Sequence, residues 1–275
     1  MKRSPHRPGR RLTEPAGAVN VESRRGGSAA PYVAVGSHAA AAFVAARPDD
    51  VDRVLVARDD ASLVPRGTHV RVEHVTREAL ERVANGIPHQ GIVALGRPPR
   101  PWALEDLVAA RPDVVLVLDE VTDPRNVGAI LRSAEAAGVG GVVLARDRSP
   151  QLTPALVKAA AGAVEWVPLV RVVNIARTLE ALQDAGYWTV GLAGEAEHDL
   201  YDPGAVPGLP VALVLGSEGE GLRSLVRRWC HRLVRIPMQG RTASLNVSVA
   251  AAVALFEIRR RTDRLVGSGA PEAKP

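Results

Sequence analysis

The chain has 275 residues, which is long enough for one large domain or two modest ones. Its net charge of +5 is typical of a protein with a polyanionic partner, either nucleic acid or an anionic membrane surface, and equally of a mildly basic soluble protein that binds neither. Cys230 is the only cysteine, which excludes an intramolecular disulfide and a cysteine-based metal site and fits a reducing cytoplasm. No apolar run is long enough to span a bilayer, so no membrane-spanning helix is expected, and no membrane partner is predicted.

Residues 1–30 are rich in Arg, Pro, Gly and Ser and show no hydrophobic periodicity. That composition predicts a disordered basic tail, because it cannot bury enough apolar surface to fold. The tail is either a dispensable solvated segment or an arm that adds salt-dependent affinity for phosphate backbones.

Residues 31–97 alternate short apolar runs with helical stretches, which predicts a small α/β module. Thr76 precedes a helical pattern over 77–84 and is its predicted N-cap. The other predicted elements are a strand at 33–35, an Ala-rich helix at 38–46, and strands at 51–56, 69–72 and 92–95. Residues 98–112 contain four prolines and predict a semi-rigid linker with a short helix near 104–109.

From residue 113 the pattern becomes that of a buried parallel sheet. Residues 114–118 form an unbroken apolar run, as expected of a strand that is covered on both faces. Further runs of this kind lie at 141–145, 189–192, 211–215 and 233–237. A helical pattern fills 127–137, and Gly138 follows where a glycine C-cap belongs. We therefore predict an α/β domain with an open parallel sheet over 113–262, followed by a flexible tail at 263–275.

Several common catalytic patterns are absent from the sequence. It has no H-E-x-x-H pair and no Cys/His cluster, so no metal site is predicted. It also has no G-x-S-x-G elbow and no phosphate-binding Walker loop. The first strand of the large domain is followed by D-E-V-T-D-P at 119–124 rather than by glycines, which disfavours a nicotinamide enzyme or an ordinary Rossmann methyltransferase.

Polar residues follow the first strand of the large domain, at the edge of a parallel sheet where ligands bind. Asn126 stands at the predicted helix start and is either its N-cap or a site residue. Arg132 lies off the apolar face of that helix. It is either a solvated residue paired with Glu135 or a phosphate clamp.

Two further polar stretches follow the later strands. Residues 214–222 contain three glycines that allow the backbone to approach a ligand closely, or that form a tight turn. Glu218 in this stretch is either a helix-start charge or a site carboxylate. Ser244 is the predicted N-cap of a long helix over 245–261. Asn246 is a poor helix former at that helix start and is either a second cap or a site residue.

Together and in this order, the three stretches resemble the signature motifs of the SpoU (TrmH-like) branch of the SPOUT RNA methyltransferases. The matching letters are N-V-G-A-I-L-R at 126–132, L-G-S-E-G-E-G-L at 215–222, and I-P-M at 236–238 with S-L-N-V-S-V-A at 244–250. Within the branch, K-A-A-A-G-A at 158–163 is similar to the enzymes that methylate a guanosine of 23S rRNA. The stretches G-S-H-A at 36–39 and H-Q-G-I-V at 89–93 are similar to their N-terminal substrate-binding domain.

The resemblance implies a fold and an assembly. The expected fold is a parallel-sheet α/β domain with a C-terminal trefoil knot, an exception to the rule against knots. A small α/β ribosomal-protein-like domain precedes it. The family is homodimeric, with Arg132 acting across the interface and the Ala-rich segment 248–256 allowing close helix packing. The expected partner is RNA, either 23S rRNA or a large-subunit precursor.

The resemblance also implies the site. S-adenosylmethionine would be the methyl donor, held largely by backbone groups of Gly216, Ile236 and Leu245, with Leu215, Gly219 and Met238 beside them. No metal is implied, because a sulfonium methyl is already a strong electrophile.

The acceptor implied by the resemblance is a ribose 2′-hydroxyl, which must lose its proton during attack. Arg132 would be the base. Because a guanidinium is almost never deprotonated, it could instead orient a phosphate or stabilise developing charge. Asn126, Glu218, Ser244 and Asn246 would position the ribose, the donor and Arg132. Two rival hypotheses are a ribose methyltransferase for tRNA or another rRNA nucleotide, and a non-catalytic RNA- or ribosome-binding protein.

Overall fold

A computed structural model describes residues 31–57 and 69–267, with side chains described as far as residue 262. The predicted basic tail at 1–30 lies outside these residues, as does most of the predicted tail at 263–275. None of the helices in the described ranges is both long and apolar enough to cross a membrane.

The first part of the chain forms a mixed four-stranded sheet with two helices. Its strand order is β1-β4-β2-β3, with β4 antiparallel to both β1 and β2 and with β3 parallel to β2. The elements are β1 (Tyr32–Val35), α1 (Ser37–Ala46), β2 (Val51–Ala57), β3 (Val72–Val75), α2 (Arg77–Ala84) and β4 (Ile92–Gly96). The strand predicted at 69–72 is therefore misplaced by three residues, because its bounds are set by pairing with the second half of β2. Thr76 is confirmed as the N-cap of α2, since its side chain accepts a hydrogen bond from the backbone N–H of Ala79.

The second part forms a seven-stranded sheet in which every pairing is parallel. The strand order is β7-β6-β5-β10-β8-β11-β9. The strands are β5 (Val114–Leu118), β6 (Gly141–Ala145), β7 (Leu169–Val172), β8 (Trp188–Leu192), β9 (His198–Asp199), β10 (Val211–Leu215) and β11 (Arg232–Arg235). The five predicted strands are confirmed, with ends shifted by at most two residues. The two outermost strands, β7 and β9, were not predicted, because one carries an arginine and the other has two residues.

Helices cover both faces of the parallel sheet. Successive residues of a strand point to opposite faces, so Leu116 packs with α4 (Pro124–Ala136), α5 (Pro154–Ala160) and α8 (Val247–Gly267). Val115 and Val117 pack instead with α3 (Leu104–Ala110), α6 (Ile175–Asp184) and α7 (Ser224–Arg228). The proline-rich segment before β5 is also part of this packing: Leu107 is fully buried, and the N–H of Trp102 donates to the carbonyl of Leu169.

The helix starts differ from the predicted ones in two places. α4 begins at Pro124, and its N-cap is Asp123, whose carboxylate accepts a 2.7 Å hydrogen bond from the N–H of Arg125. Asn126 is therefore not the cap and lies in the first turn. α8 begins at Val247 rather than at 245, because the side chain of Asn246 accepts a 2.9 Å hydrogen bond from the N–H of Ser248. Ser244 thus lies outside the helix and does not cap it. At its other end, α8 continues to Gly267 rather than stopping at 261, so residues 263–267 of the predicted flexible tail are helical.

The two sheets are joined by a tight seam between α1 and β1 on one side and α5 with the turn at 163–165 on the other. The carboxylate of Glu165, whose side chain is 1% exposed, accepts a 2.6 Å hydrogen bond from Tyr32 Oη and a 2.8 Å hydrogen bond from Arg47 Nε. Apolar residues from both sides, among them Phe43 and Leu156, belong to one continuous buried cluster. The seam therefore holds the two sheets together through both apolar packing and a buried ion pair.

Candidate active site

A cavity of about 580 Å³ opens at the carboxyl edge of the parallel sheet, where β8, β10 and β11 end. Its walls come from the segments that follow these three strands. This volume lies in the range of small-molecule sites in proteins, roughly 300–1,000 Å³. It lies where ligands bind in open parallel sheets. The lining residues that the sequence did not single out are Leu192, the last residue of β8, and Ala193, Gly194 and Glu195 after it, together with Ser217, Glu220, Ala243, Val247 and Ala250. Gly221, one of the three glycines noted in the sequence, also lines the cavity.

The glycine-rich loop after β10 forms one wall of the cavity. Its ends are tied together by two 3.1 Å backbone hydrogen bonds between Ser217 and Gly221. Gly216 lies directly against the backbone of Gly221, so a side chain at 216 would collide with that peptide. Gly219 has a φ of +87°, a conformation that L-residues with side chains rarely adopt. The three-glycine pattern thus produces a compact loop whose backbone faces the cavity.

This loop is anchored to the neighbouring strand by an ion pair between a buried carboxylate and a partly exposed arginine. Asp119, fully buried at the end of β5, accepts a 2.8 Å hydrogen bond from Arg223 Nε and a 3.1 Å hydrogen bond from the N–H of Arg223. Arg223 also contacts Glu120 at 2.8 Å. The hydrogen bond with Asp119 raises the pKa of Arg223 above its ordinary value. A carboxylate buried at a strand end therefore fixes where the glycine-rich loop leaves the sheet.

Three predicted site residues meet beside the cavity. Glu218 Oε1 accepts hydrogen bonds from Asn126 Nδ2 at 2.6 Å and from Asn246 Nδ2 at 2.9 Å. Asn246 Nδ2 also lies 3.1 Å from Asn126 Oδ1, and its own Oδ1 accepts from the N–H and hydroxyl of Ser248. Each of the three signature stretches thus contributes one side chain to a single polar cluster. We call Asn126, Glu218 and Asn246 the carboxamide cluster.

Both amide donors of this cluster converge on one oxygen of Glu218. Among the described residues, Glu218 Oε2 has no hydrogen-bond partner. It is free to accept a hydrogen bond from a ligand. The side chain of Glu218 is exposed, and the residue lines the cavity. The arrangement can therefore hold an O–H group at the mouth of the cavity.

The structure places the remaining predicted site residues as follows. All six residues predicted to bind the methyl donor line the cavity: Leu215, Gly216, Gly219, Ile236, Met238 and Leu245. Ser244 also lines it and is exposed. Arg132 lies on the exposed side of α4 and does not line the cavity. It is solvated, as one of the two interpretations predicted, but within the described part of the chain it forms no ion pair with Glu135.

The sequence reading missed the cavity residues 192–195. Their signal was present, because β8 is one of the apolar runs and neighbours β10, so the segment after it must reach the same edge. Asp119 was also passed over, although a carboxylate directly after a buried strand has to find a partner. Among the described residues no group of His, Cys, Asp and Glu could hold a metal ion.

Two family models match the chain. Residues 113–256 match the SpoU rRNA Methylase family, and residues 33–102 match the model described as RNA 2'-O ribose methyltransferase substrate binding. The 23S rRNA (guanosine-2'-O-)-methyltransferase RlmB of Photobacterium profundum is 45% identical over 82% of the chain and 96% of its own length. RlmB of Escherichia coli K12 is 44% identical over 82% of the chain and 98% of its own length.

Solved structures of similar proteins share the fold. The AdoMet-bound rRNA methyltransferase of Sinorhizobium meliloti has a TM-score of 0.68 and 26% identity, over 84% of this chain and 87% of that one. The SpoU methyltransferase AviRb of Streptomyces viridochromogenes, in complex with AdoMet, has a TM-score of 0.71 over 85% of this chain and 91% of that one. At 24% identity the likeness to AviRb concerns the fold alone.

Proposed function

Because the chain belongs to the SpoU rRNA methylase family, we propose that it transfers a methyl group from S-adenosylmethionine to the ribose 2′-hydroxyl of a guanosine in 23S rRNA. The observation that carries this proposal is the carboxamide cluster at the mouth of the cavity, to which all three signature stretches contribute. The guanosine of 23S rRNA is the substrate for which relatives that are 44–45% identical over most of both chains are named.

The cavity fits S-adenosylmethionine in size and chemistry. Gly216 and the loop to Gly221 expose backbone groups that can bind the adenine and ribose, and Ile236, Met238 and Leu245 add apolar surface. When bound, S-adenosylmethionine supplies a methyl group that is electrophilic without a metal. We propose that the six predicted donor-binding residues contact it.

The carboxamide cluster would hold the acceptor. Glu218 Oε2 accepts a hydrogen bond from the ribose, while the amides of Asn126 and Asn246 keep the carboxylate in place. Holding a weak nucleophile in line with a methyl group lowers the entropic part of the barrier. Ser244, exposed on the cavity wall, would donate to the donor or to the ribose.

We propose that Arg132 acts on a cluster that belongs to a second copy of the chain. Its side chain is exposed and forms no ion pair among the described residues, so it is available to a partner. Val249 and Phe256, seven positions apart on α8, are about half exposed and supply an apolar surface for a homodimer. Arg132 would then orient a phosphate or stabilise the negative charge that develops on the 2′-oxygen.

The finer features of the fold are also proposals. We propose a trefoil knot in the C-terminal part of the methyltransferase domain. Its support is the strand order, in which β10 and β11 lie on opposite sides of β8. We further propose that residues 31–97 form a ribosomal-protein-like substrate-binding domain, residues 98–112 its connection, and residues 113–262 the methyltransferase domain. We also propose a cytoplasmic location, where an rRNA substrate would be met.

The direct test is to map ribose methylation in 23S rRNA from a deletion strain and from the same strain complemented with this chain. The proposal expects one guanosine to lose its 2′-O-methyl group in the deletion strain and regain it on complementation. An unchanged 23S pattern would contradict the rRNA assignment, and a lost tRNA methyl group would favour the tRNA alternative. Calorimetry with S-adenosylmethionine tests the methyl donor separately. Absence of binding would contradict the proposal that the chain is a methyltransferase.

A further inference from the structure

Three stretches that the proposed reaction leaves without a role meet at the seam between the two sheets. They are residues 36–39 at the start of α1, residues 89–93 at the start of β4, and residues 158–163 at the end of α5. Lys158 Nζ donates a 2.8 Å hydrogen bond to Gln90 Oε1, and Ser37 Oγ lies 3.5 Å from the same oxygen. His38 is exposed, and its Nδ1 lies 3.5 Å from Ser37 Oγ. We call Ser37, His38, Gln90 and Lys158 the seam cluster.

Lys158 is a rare residue type in this chain. Among 35 basic residues only Lys2, Lys158 and Lys274 are lysines, so Lys158 is the sole lysine between the two ends. An ammonium is a compact charge, whereas a guanidinium is a wide planar group. The head of Lys158 packs against Gly36, where an added Cβ would meet both its Nζ and the Oε1 of Gln90.

No carboxylate in the described ranges neutralises the charge of Lys158. Its hydrogen-bond partner in the described residues is the neutral amide oxygen of Gln90, and no described carboxylate forms an ion pair with it. Desolvation lowers the pKa of Lys158 below its ordinary value. A partly buried ammonium without a counter-ion is stabilised when an anion binds beside it.

The seam cluster lies close to the carboxamide cluster. Helices α4 and α5 cross at Gly128, where an added Cβ would lie 2.6 Å from the Cβ of Ala159. Asn126 is two residues from this crossing and Lys158 is one. Backbone geometry therefore places the Cα atoms of Asn126 and Lys158 within about 15 Å of each other. One RNA strand can contact both clusters.

We propose that the seam cluster binds a backbone phosphate of the RNA whose ribose enters the methyl-transfer site. Lys158 supplies the charge, and the Gln90 amide N–H, the Ser37 hydroxyl and His38 supply further donors to the phosphate oxygens. Ser37, His38 and Gln90 belong to the first part of the chain, and Lys158 belongs to the second. An RNA strand bound by the seam cluster would therefore contact both parts. This inference names part of the substrate contact of the proposed methyltransferase and rests on that function.

The first test compares two charge-removing variants in the full chain. Lys158→Met keeps the length of the side chain, and Arg177→Met removes an exposed cation from α6 on the opposite face of the parallel sheet. Both are titrated with the 23S rRNA fragment that the unaltered chain methylates, over a range of salt concentrations. We expect Lys158→Met to weaken binding roughly tenfold and to reduce the slope of log K against log salt by about 0.7–1. Arg177→Met should change neither value.

Equal behaviour of the two variants would overturn the inference, even if the unaltered chain methylates the fragment. If the unaltered chain methylates no 23S fragment, the proposed function fails instead. Unchanged affinity of Lys158→Met for S-adenosylmethionine and an unchanged Tm show that the variant is folded. A loss of either one would show a structural role for Lys158 and overturn the inference.

The second test uses the fact that the chain has only three lysines, so that each can be followed separately. Acetylation of the free amines followed by mass spectrometry reports on Lys158, with Lys2 and Lys274 as internal references. We expect the RNA fragment to protect Lys158 severalfold, and S-adenosylmethionine alone to protect it not at all. Acetylation of Lys158 at the same rate with and without bound RNA would contradict the subsite.

Discussion

Asn126 Nδ2 donates a 2.6 Å hydrogen bond to Glu218 Oε1, which joins residues 92 positions apart in the chain. The first lies in the opening turn of α4, and the second lies in the loop after β10. Because β5 and β10 are neighbouring parallel strands, the segments after them leave the sheet side by side. The register of the sheet therefore brings the two side chains together, and Asn246 completes the cluster from the start of α8.

Replacement of Asn126 by alanine is expected to reduce the rate of methyl transfer about 100-fold. Glu218 then loses one of the two hydrogen-bond donors that hold its carboxylate. A shift of a reacting group by about 1 Å can slow a reaction by this factor. Affinity for S-adenosylmethionine should stay unchanged, since Asn126 does not line the cavity. Single-turnover rates and calorimetry measure the two effects. Arg125→Ala, at the exposed neighbouring position, is the control, and an equal loss in that variant would contradict the role of Asn126.

Much of the large sheet was predictable because its central strands are unbroken apolar runs between two layers of helices. The edge strand β7 was not, since Arg171 interrupts its pattern. The members of the carboxamide cluster were predicted one by one, but nothing in the local sequence indicates that they bond to one another. Asn126 is the clearest example of a residue whose role the local sequence left open. An Asn at a helix start is a good cap, but the hydrogen bond from the N–H of Arg125 shows that Asp123 caps α4 and leaves Asn126 for the site.

Arg132→Ala is expected to abolish turnover while sparing affinity for S-adenosylmethionine, because Arg132 lies outside the cavity. Equal loss of both would show that its role is wrongly assigned. A mixing experiment tests whether it acts across a dimer. Arg132→Ala and Asn126→Ala subunits are refolded together, so that half of the dimers contain one of each. Action across the interface restores about a quarter of the activity, because each mixed dimer holds one intact site. Action within one chain restores none.

Gly216→Ala is expected to weaken binding of S-adenosylmethionine by about 100-fold or more. The added methyl group would collide with the backbone of Gly221, so the loop that forms the cavity wall must move. Calorimetry measures the loss. Gly240→Ala is the matched control, because a Cβ there has no neighbour within 4 Å and its φ is ordinary. Donor affinity in Gly216→Ala as high as in Gly240→Ala would contradict this account of the loop.

Glu257 links α8 to the segment after β9 through arginines. Its carboxylate accepts hydrogen bonds from Arg260 and Arg261, and Arg261 also donates to the carbonyls of Leu200 and Asp202. The hydrogen bonds from Arg260, opposed by desolvation and aided by those from Arg261, lower the pKa of Glu257 to about 2. A lowered folded-state pKa means that this contribution is complete above the unfolded pKa of about 4.3 and is lost as the pH falls towards 2.

Glu257→Gln should therefore lower the Tm by a few degrees at pH 7, and the difference from the unaltered chain should shrink as the pH falls from 5 to 3. Thermal unfolding followed by circular dichroism across this range measures the difference. Glu180→Gln, at an exposed position on α6, removes the same charge and should change the Tm little at any pH. A Tm difference for Glu257→Gln that stays constant from pH 7 to pH 3 would show that the carboxylate does not stabilise α8 through its charge.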